Sequence, residues 1–238
     1  MKILKKRRFW QKVHVSKSGS GFGVFLDNKL IHTPLKRKFI VPNSLLAVEI
    51  AKEWELQESE INIEEMPYTK ACNAAIDFVS NKKVAVLNDL VEYGMYDLIS
   101  YRGDAEWELE KIQKLHWDPL IKWAEDQIGI ELKVTNGLMP LEQPLINREI
   151  LKKNLKKMSF FELTALDQLV RISGSLVISL ALVNGKLDQE WAWSCSVLDE
   201  EWQEQKWGAD LDASDKKAKR KKAFIESFNF FKLLKHKS

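Results

Sequence analysis

The chain has 238 residues, of which 45% are apolar and 30% charged, and its formal net charge is +3. Such a composition excludes a disordered chain and gives ample length for one large domain or two smaller ones. It also lacks the strong basic excess that marks a nucleic-acid binder. Cys72 and Cys195 lie far apart in apolar helical contexts, and no Cys/His pair has zinc spacing, so buried thiols in a reducing compartment and no bound metal are expected. The basic N-terminus is followed by no signal-peptide apolar stretch. The longest apolar run, Ser175 to Val183, is far short of the roughly 20 residues of a membrane span, so it reads as a buried core helix with no membrane insertion.

In chain order, residues 9 to 41 read as strands. Phe9 to Val15 alternates apolar and polar residues, Ser16 to Gly21 reads as a turn, and Phe22 to Leu26 and Leu30 to His32 are joined by D-N-K. Lys38 to Val41 is a further short strand. Pro42 with Asn43 or Ser44 starts a helix on which Leu46, Ile50 and Trp54 stack at i+4 spacing, making Trp54 a structural residue. This gives a small sheet-plus-helix domain over residues 1–68. From Thr69, a candidate cap, the pattern is helical. Lys83 to Tyr101, Ala105 to Ile128 with a kink or break at Pro119, Asn147 to Met158, and Asp212 to Lys235 are the expected helices. Phe160 to Val183 reads as one central helix, and Leu132 to Pro144 as loop or short extended chain. The fold class is therefore α+β, with an all-α orthogonal helical bundle over residues 69–238.

The acidic, tryptophan-rich segment from Asp188 to Gly208 reads as a single helix closed by Gly208. Trp191, Cys195, Leu198 and Trp202 then fall on one stripe, which makes them the structural core face. Trp193, Val197, Glu200, Glu204 and Trp207 fall opposite. An indole-and-carboxylate face is either sandwiched between other helices or is a partner surface.

Catalytic chemistry is not evident. S-G-S-G-F-G lacks a P-loop ending and precedes strand-like sequence, so a hairpin turn accounts for it. Ser175 reads as mid-helix rather than as a nucleophile elbow. Asp199, Glu200 and Glu201 are candidate acid/base groups, but neighbours on a helix diverge by about 100°. His116 is either an isolated acid/base or a packed or surface histidine. The basic run Lys216 to Lys222 lacks interleaved aromatics, and a solvated helix face is the simpler account.

Seven segments in order carry a resemblance. They are R-F-W at Arg8 to Trp10, L-D-N-K-L-I-H-T-P at Leu26 to Pro34, A-K-E-W-E-L-Q at Ala51 to Gln57, and M-P-Y-T at Met66 to Thr69. D-L-I-S-Y-R at Asp97 to Arg102, W-D-P-L-I-K-W at Trp117 to Trp123, and L-D-E-E-W-Q-E-Q-K-W-G at Leu198 to Gly208 complete the set. Over nearly the whole chain the sequence resembles the assembly chaperones that bind the alpha subunit of the catalytic head of F-type ATP synthase. The resemblance implies a binding protein, not an enzyme; with no ligand motif in the sequence, a monomer without cofactor is expected. It would hold the free alpha subunit and shield a surface that later meets the beta subunit. Glu200 and Trp207, with Trp193, Glu204 and Gln205, are the partner-binding residues on this reading. Only seven residues precede Arg8, which fits a bacterial cytoplasmic member rather than a mitochondrial one with a transit sequence. The rival readings are a small enzyme with an acidic site in an interdomain cleft and a nucleic-acid binder using Lys216 to Lys222.

Overall fold

The structure, a computed structural model, describes residues 7–103, 107–137, 139–208 and 211–236. The basic residues 1–6 and the expected helix start at Ala105 lie outside the described residues. Two compact units are present. The first comprises Met1–Lys83, Phe160–Ala165 and Asn229–Ser238; the second comprises Val84–Ser159 and Leu166–Phe228.

The first unit carries a four-stranded antiparallel sheet: β1 (Val13–Ser18), β2 (Gly21–Leu26), β3 (Lys29–Leu30) and β4 (Ile40–Val41), with β2 central. The Ser16 to Ser18 stretch expected to turn is instead strand, paired across from Gly23 to Gly21. The reversal is only Gly19-Ser20, with Gly19 at φ +62°. The glycine cluster serves close approach as well as turning. A Cβ on Gly21 would lie 2.4 Å from the Val41 carbonyl oxygen, where β4 crosses.

Helix α1 (Ser44–Glu55) starts where its cap residue predicts, Asn43 accepting from the Leu46 amide at 2.9 Å. Its buried stripe is Leu46, Ala47, Ile50 and Glu53, while Trp54 is only half-buried. Trp54 packs its ring edge-on to Trp10, with centroids 5.3 Å apart. The buried Glu53 carboxylate accepts from the Tyr68 amide at 2.6 Å, the Thr69 amide at 2.8 Å and the Thr69 hydroxyl at 2.7 Å. It thereby occupies the N-terminus of α2 (Pro67–Ala74), the role assigned above to Thr69. The expected boundary between residues 68 and 69 falls within this contact, and the first unit runs on to Lys83 through a π-helical turn at Ala75–Val79.

Helix α3 (Ser80–Met95), which belongs to the second unit from Val84 on, ends earlier than expected. Asp97 interrupts it and leads into a 3-10 turn, Leu98–Ser100, and a short strand β5 (Tyr101–Arg102). Helix α4 (Trp107–Trp123) runs through Pro119 without a break and ends in a π-helical turn, Ala124–Ile128. The carbonyl that Pro119 leaves without an amide partner belongs to Leu115, an exposed residue, where water can serve it. Strand β6 (Thr135–Asn136) pairs parallel with β5, and α5 (Ile146–Leu155) follows.

The expected central helix is two helices. α6 (Phe160–Ser173) stops at Gly174, which has φ +73°, and α7 (Leu176–Val183) begins on Ser175, whose hydroxyl accepts from the Ile178 amide at 2.9 Å. Ser175 is thus a buried N-cap rather than a mid-helix residue. Asp97 completes the junction by accepting from the Val177 amide at 3.0 Å. Helices α8 (Gln189–Ser196), α9 (Leu198–Trp207) and α10 (Leu211–Lys235) close the chain, the last turns of α10 belonging to the first unit. The result is the α+β class. Among the described residues no helix is long and apolar enough to cross a membrane.

Asp97 also gives the unit a pH signature. Burial pushes its carboxyl from 3.8 up to about 6, against hydrogen bonds from Ser175 and the Val177 amide that favour the charged form. A folded-state value above the unfolded one stabilises below about pH 4, and that contribution is lost as pH rises through 6. The stability difference between the parent and Asp97→Asn should therefore fall by about 2 kcal/mol between pH 4 and pH 7. Urea unfolding across that range measures it, and a flat difference would contradict the assignment.

Candidate functional site

The segment from Asp188 to Gly208 is two helices, not one. Val197, at φ −115° and ψ 16°, separates α8 from α9. An unbroken helix would give the Cys195 carbonyl to the Asp199 amide. Instead the buried indole of Trp117, on α4, donates to that carbonyl at 3.0 Å. The Trp193 carbonyl accepts from the Val197 amide at 3.2 Å and from the Ser196 hydroxyl at 2.7 Å, so the end of α8 is satisfied from backbone and side chains together.

Within α8 the buried face is formed by Ala192, Trp193, Cys195 and Ser196, which corrects two assignments. Trp193, placed above on the partner face, is 3% exposed and packs against Phe224 of α10 with ring centroids 5.7 Å apart. Trp191, placed in the core stripe, is 46% exposed and stacks on His116 at 4.9 Å. Cys195, Leu198 and Trp202 are buried as expected, and burial pushes the Cys195 thiol up to about 12.

Beyond the break, α9 carries a mixed surface. Trp207 is 66% exposed and stands edge-on to Trp202 with centroids 5.6 Å apart. The Lys206 ammonium lies 4.3 Å over the Trp202 ring. Gln205 is exposed. Glu200 and Glu204 are half-exposed, and both meet the basic run of α10. Arg220 Nη1 donates to both Glu200 oxygens at 2.9 and 3.0 Å, and Lys217 donates to Glu204 at 2.6 Å. Lys221 reaches back to Glu190 of α8 at 2.6 Å. The Arg220 guanidinium also lies 5.8 Å over the Trp193 ring. The strongest charge run in the sequence is thus directed in large part at carboxylates of its own chain.

The acidic triplet does not converge on one point. Asp199 accepts from Gln113 of α4 at 2.8 Å, Glu200 meets Arg220, and Glu201 approaches Lys217 at 3.8 Å. Burial raises the Asp199 carboxyl, with the Gln113 hydrogen bond opposing it. His116 is a stacked side chain beside Trp191. Among the described residues no group of three His, Cys, Asp or Glu is placed to hold a metal ion.

Comparison with known proteins decides the family. A family model for the ATP12 chaperone protein matches residues 7–125, half of the chain. The chain belongs to the ATP12 chaperone family. The crystal structure of Atp12 from Paracoccus denitrificans is 37% identical with a TM-score of 0.93, covering 96% of this chain and 98% of that one. A protein of Agrobacterium tumefaciens is 32% identical with a TM-score of 0.92, over 96% and 86% of the two chains. The mitochondrial protein atp12 of Schizosaccharomyces pombe is 26% identical over 221 residues, 88% of this chain and 76% of that protein.

For this ATP12 family member, sequence reasoning missed the outward face of α4. Trp107, Ile112 and Leu115 are exposed apolar residues, while α4 buries Leu109, Gln113, Trp117 and Leu120. That true stripe was masked by the polar Gln113, whose amide is held between the Gly103 amide and Asp199.

Trp117 is the residue on which the α8–α9 geometry turns. Trp117→Phe keeps most of the ring volume but leaves the buried Cys195 carbonyl without its donor. It should cost about 1–3 kcal/mol in urea unfolding, and stability equal to the parent would show that the bond is dispensable.

Proposed function

We propose that this ATP12 family member holds the free alpha subunit of the F-type ATP synthase catalytic head and covers its subunit interface until the beta subunit joins. The proposal takes it to act by binding alone, as a monomer, in the cytoplasm of a bacterial cell. Family membership supports the chaperone role. The observation that carries the contact surface is Trp207, an exposed indole braced on Trp202 in one helix with the Glu200 and Glu204 carboxylates.

The chemistry suits a temporary holder. An interface awaiting an obligate partner is large and apolar, and a rigid indole covers apolar surface at small cost in side-chain freedom. The carboxylates orient the contact by meeting basic groups on the partner. Each is already matched by α10, so the partner's basic group exchanges with Arg220 or Lys217 rather than meeting a bare charge. No observation favours an enzyme, since the acidic triplet diverges. The basic run offers little to nucleic acid, since Lys217, Arg220 and Lys221 are engaged within the chain.

Glu200→Gln and Trp207→Ala test the reading. Both residues are substantially exposed, and an exposed ion pair contributes about 0–1 kcal/mol to folding. Melting temperatures should therefore stay near the parent's. Capture of purified alpha subunit and suppression of its aggregation should fall, by roughly 2 kcal/mol or more in binding for loss of the exposed Trp207 indole and by about 1 kcal/mol for Glu200→Gln, whose contact replaces the one with Arg220. Folded variants that protect the subunit as well as the parent would remove α9 from the contact surface. A parent that fails to capture the alpha subunit would remove the function itself.

A further inference from the structure

We propose that the outward face of α4, from Trp107 to the cavity beside Asp118, is a second protein-docking surface that takes an apolar side chain and a neighbouring carboxylate from the partner. It rests on the reading above for the identity of that partner, the alpha subunit.

The first half of the surface is apolar. Trp107 and Leu115 are 71% and 73% exposed, and they line a groove of about 660 Å³ with Ile112 and Lys111. Spacing i, i+4, i+8 puts Trp107, Lys111 and Leu115 in one row. The fold does not use this row, because α4 buries its other side. Trp191, stacked on His116 one turn from Ile112, widens the apolar area.

The second half is a cation with spare donors. Asp118 follows Leu115 by three residues, and beneath it lies Arg102, whose side chain is 1% exposed. Arg102 lines a cavity of about 360 Å³ with Lys114, Asp118 and Lys122. Lys114 borders the groove as well, so groove and cavity are neighbours along α4. The guanidinium carbon lies 5.0 Å over the Trp117 ring, and Nη2 donates to Asp118 Oδ1 at 2.8 Å. Nε and Nη1 find no acceptor among the described residues. A guanidinium presents its donors as a planar fork that fits a carboxylate, and buried donors left unpaired are costly.

The other charges at the cavity do not meet this demand. Lys114 is paired with Glu110 at 2.9 Å, and Lys122 with Asp126 at 2.9 Å and Glu125 at 3.2 Å. Asp199 is turned to Gln113. Among the described residues lining the cavity, the unmet capacity is that of Arg102, and Asp118, half-exposed, is the internal group an incoming carboxylate would displace. With Asp118, Glu125 and Glu110 near the rim, a single carboxylate fits better than a doubly charged phosphate.

The test uses the full chain and purified alpha subunit. Affinity and melting temperature are measured for the parent, for Trp107→Ala combined with Leu115→Ser, and for Asp118→Asn. Removing the two exposed apolar side chains should weaken binding about tenfold or more with the melting temperature unchanged. Asp118→Asn removes the internal competitor and should tighten binding several-fold. The surface is overturned if the double variant binds like the parent while Glu200→Gln does not. It is overturned in its carboxylate part if Asp118→Asn leaves affinity unchanged or lowers it. A parent dimer abolished by the double variant would give the face to a second copy and overturn the proposal. If the parent does not bind the alpha subunit at all, the function reading fails, and this inference with it. That result is distinct from selective indifference to the α4 changes.

Discussion

A single buried hydrogen bond, from the Trp117 indole to the Cys195 carbonyl, sits at the junction on which both proposed contact surfaces depend. A helix end buried without partners for its carbonyls is costly. Trp117 supplies that partner from α4, so α8 stops where it does and α9 leaves in a new phase. The same ring carries the Arg102 guanidinium on one face. One aromatic side chain therefore fixes the direction of α9 and the position of the buried cation near the outward face of α4.

The new phase of α9 has an electrostatic consequence. It turns Glu200 and Glu204 toward the basic run of α10, where Arg220 and Lys217 meet them. Burial of Trp193 beneath Arg220 holds the guanidinium in place. A sequence reading weighs Lys216 to Lys222 as an external feature because the chain distance to Glu200 is large. In the structure these residues are the internal counter-charges of the acidic helix.

What was legible in the sequence was local. Asn43 caps α1 because its side chain reaches an amide three residues on, and Asp27-Asn28 turns the β2–β3 hairpin with Asp27 at φ 53°. The Ser-Gly-Ser signal at residues 173–175 was also local, but the apolar run around it outweighed it. The break at Val197 carries no glycine, proline or capping residue, because its cause lies on another helix. Glu53 and Gln113 were invisible for a related reason. Hydrophobic periodicity has no place for a buried polar residue whose partners come from distant segments. Glu200 and Trp207, the proposed contact residues, lie on a helix that buries only Leu198 and Trp202, whereas Trp191 and Trp193 exchanged places because α8 buries the face carrying Ala192, Trp193 and Ser196.

Under the proposed function, prior pairing of charges is what keeps holding reversible. A bare buried carboxylate would bind a partner's basic group strongly and release it slowly. Glu200 gives up Arg220 when it takes a new partner, so the net gain is the difference between two similar contacts. The driving force must then come from apolar area. Trp207 stands on one side of the Trp117 junction; Trp107 and Leu115 stand on α4. Their contact is orientation-tolerant, while the exchanged ion pairs set the register. A beta subunit offering a larger apolar interface displaces such a holder without nucleotide, because the charges return to Arg220 and Lys217 as it leaves.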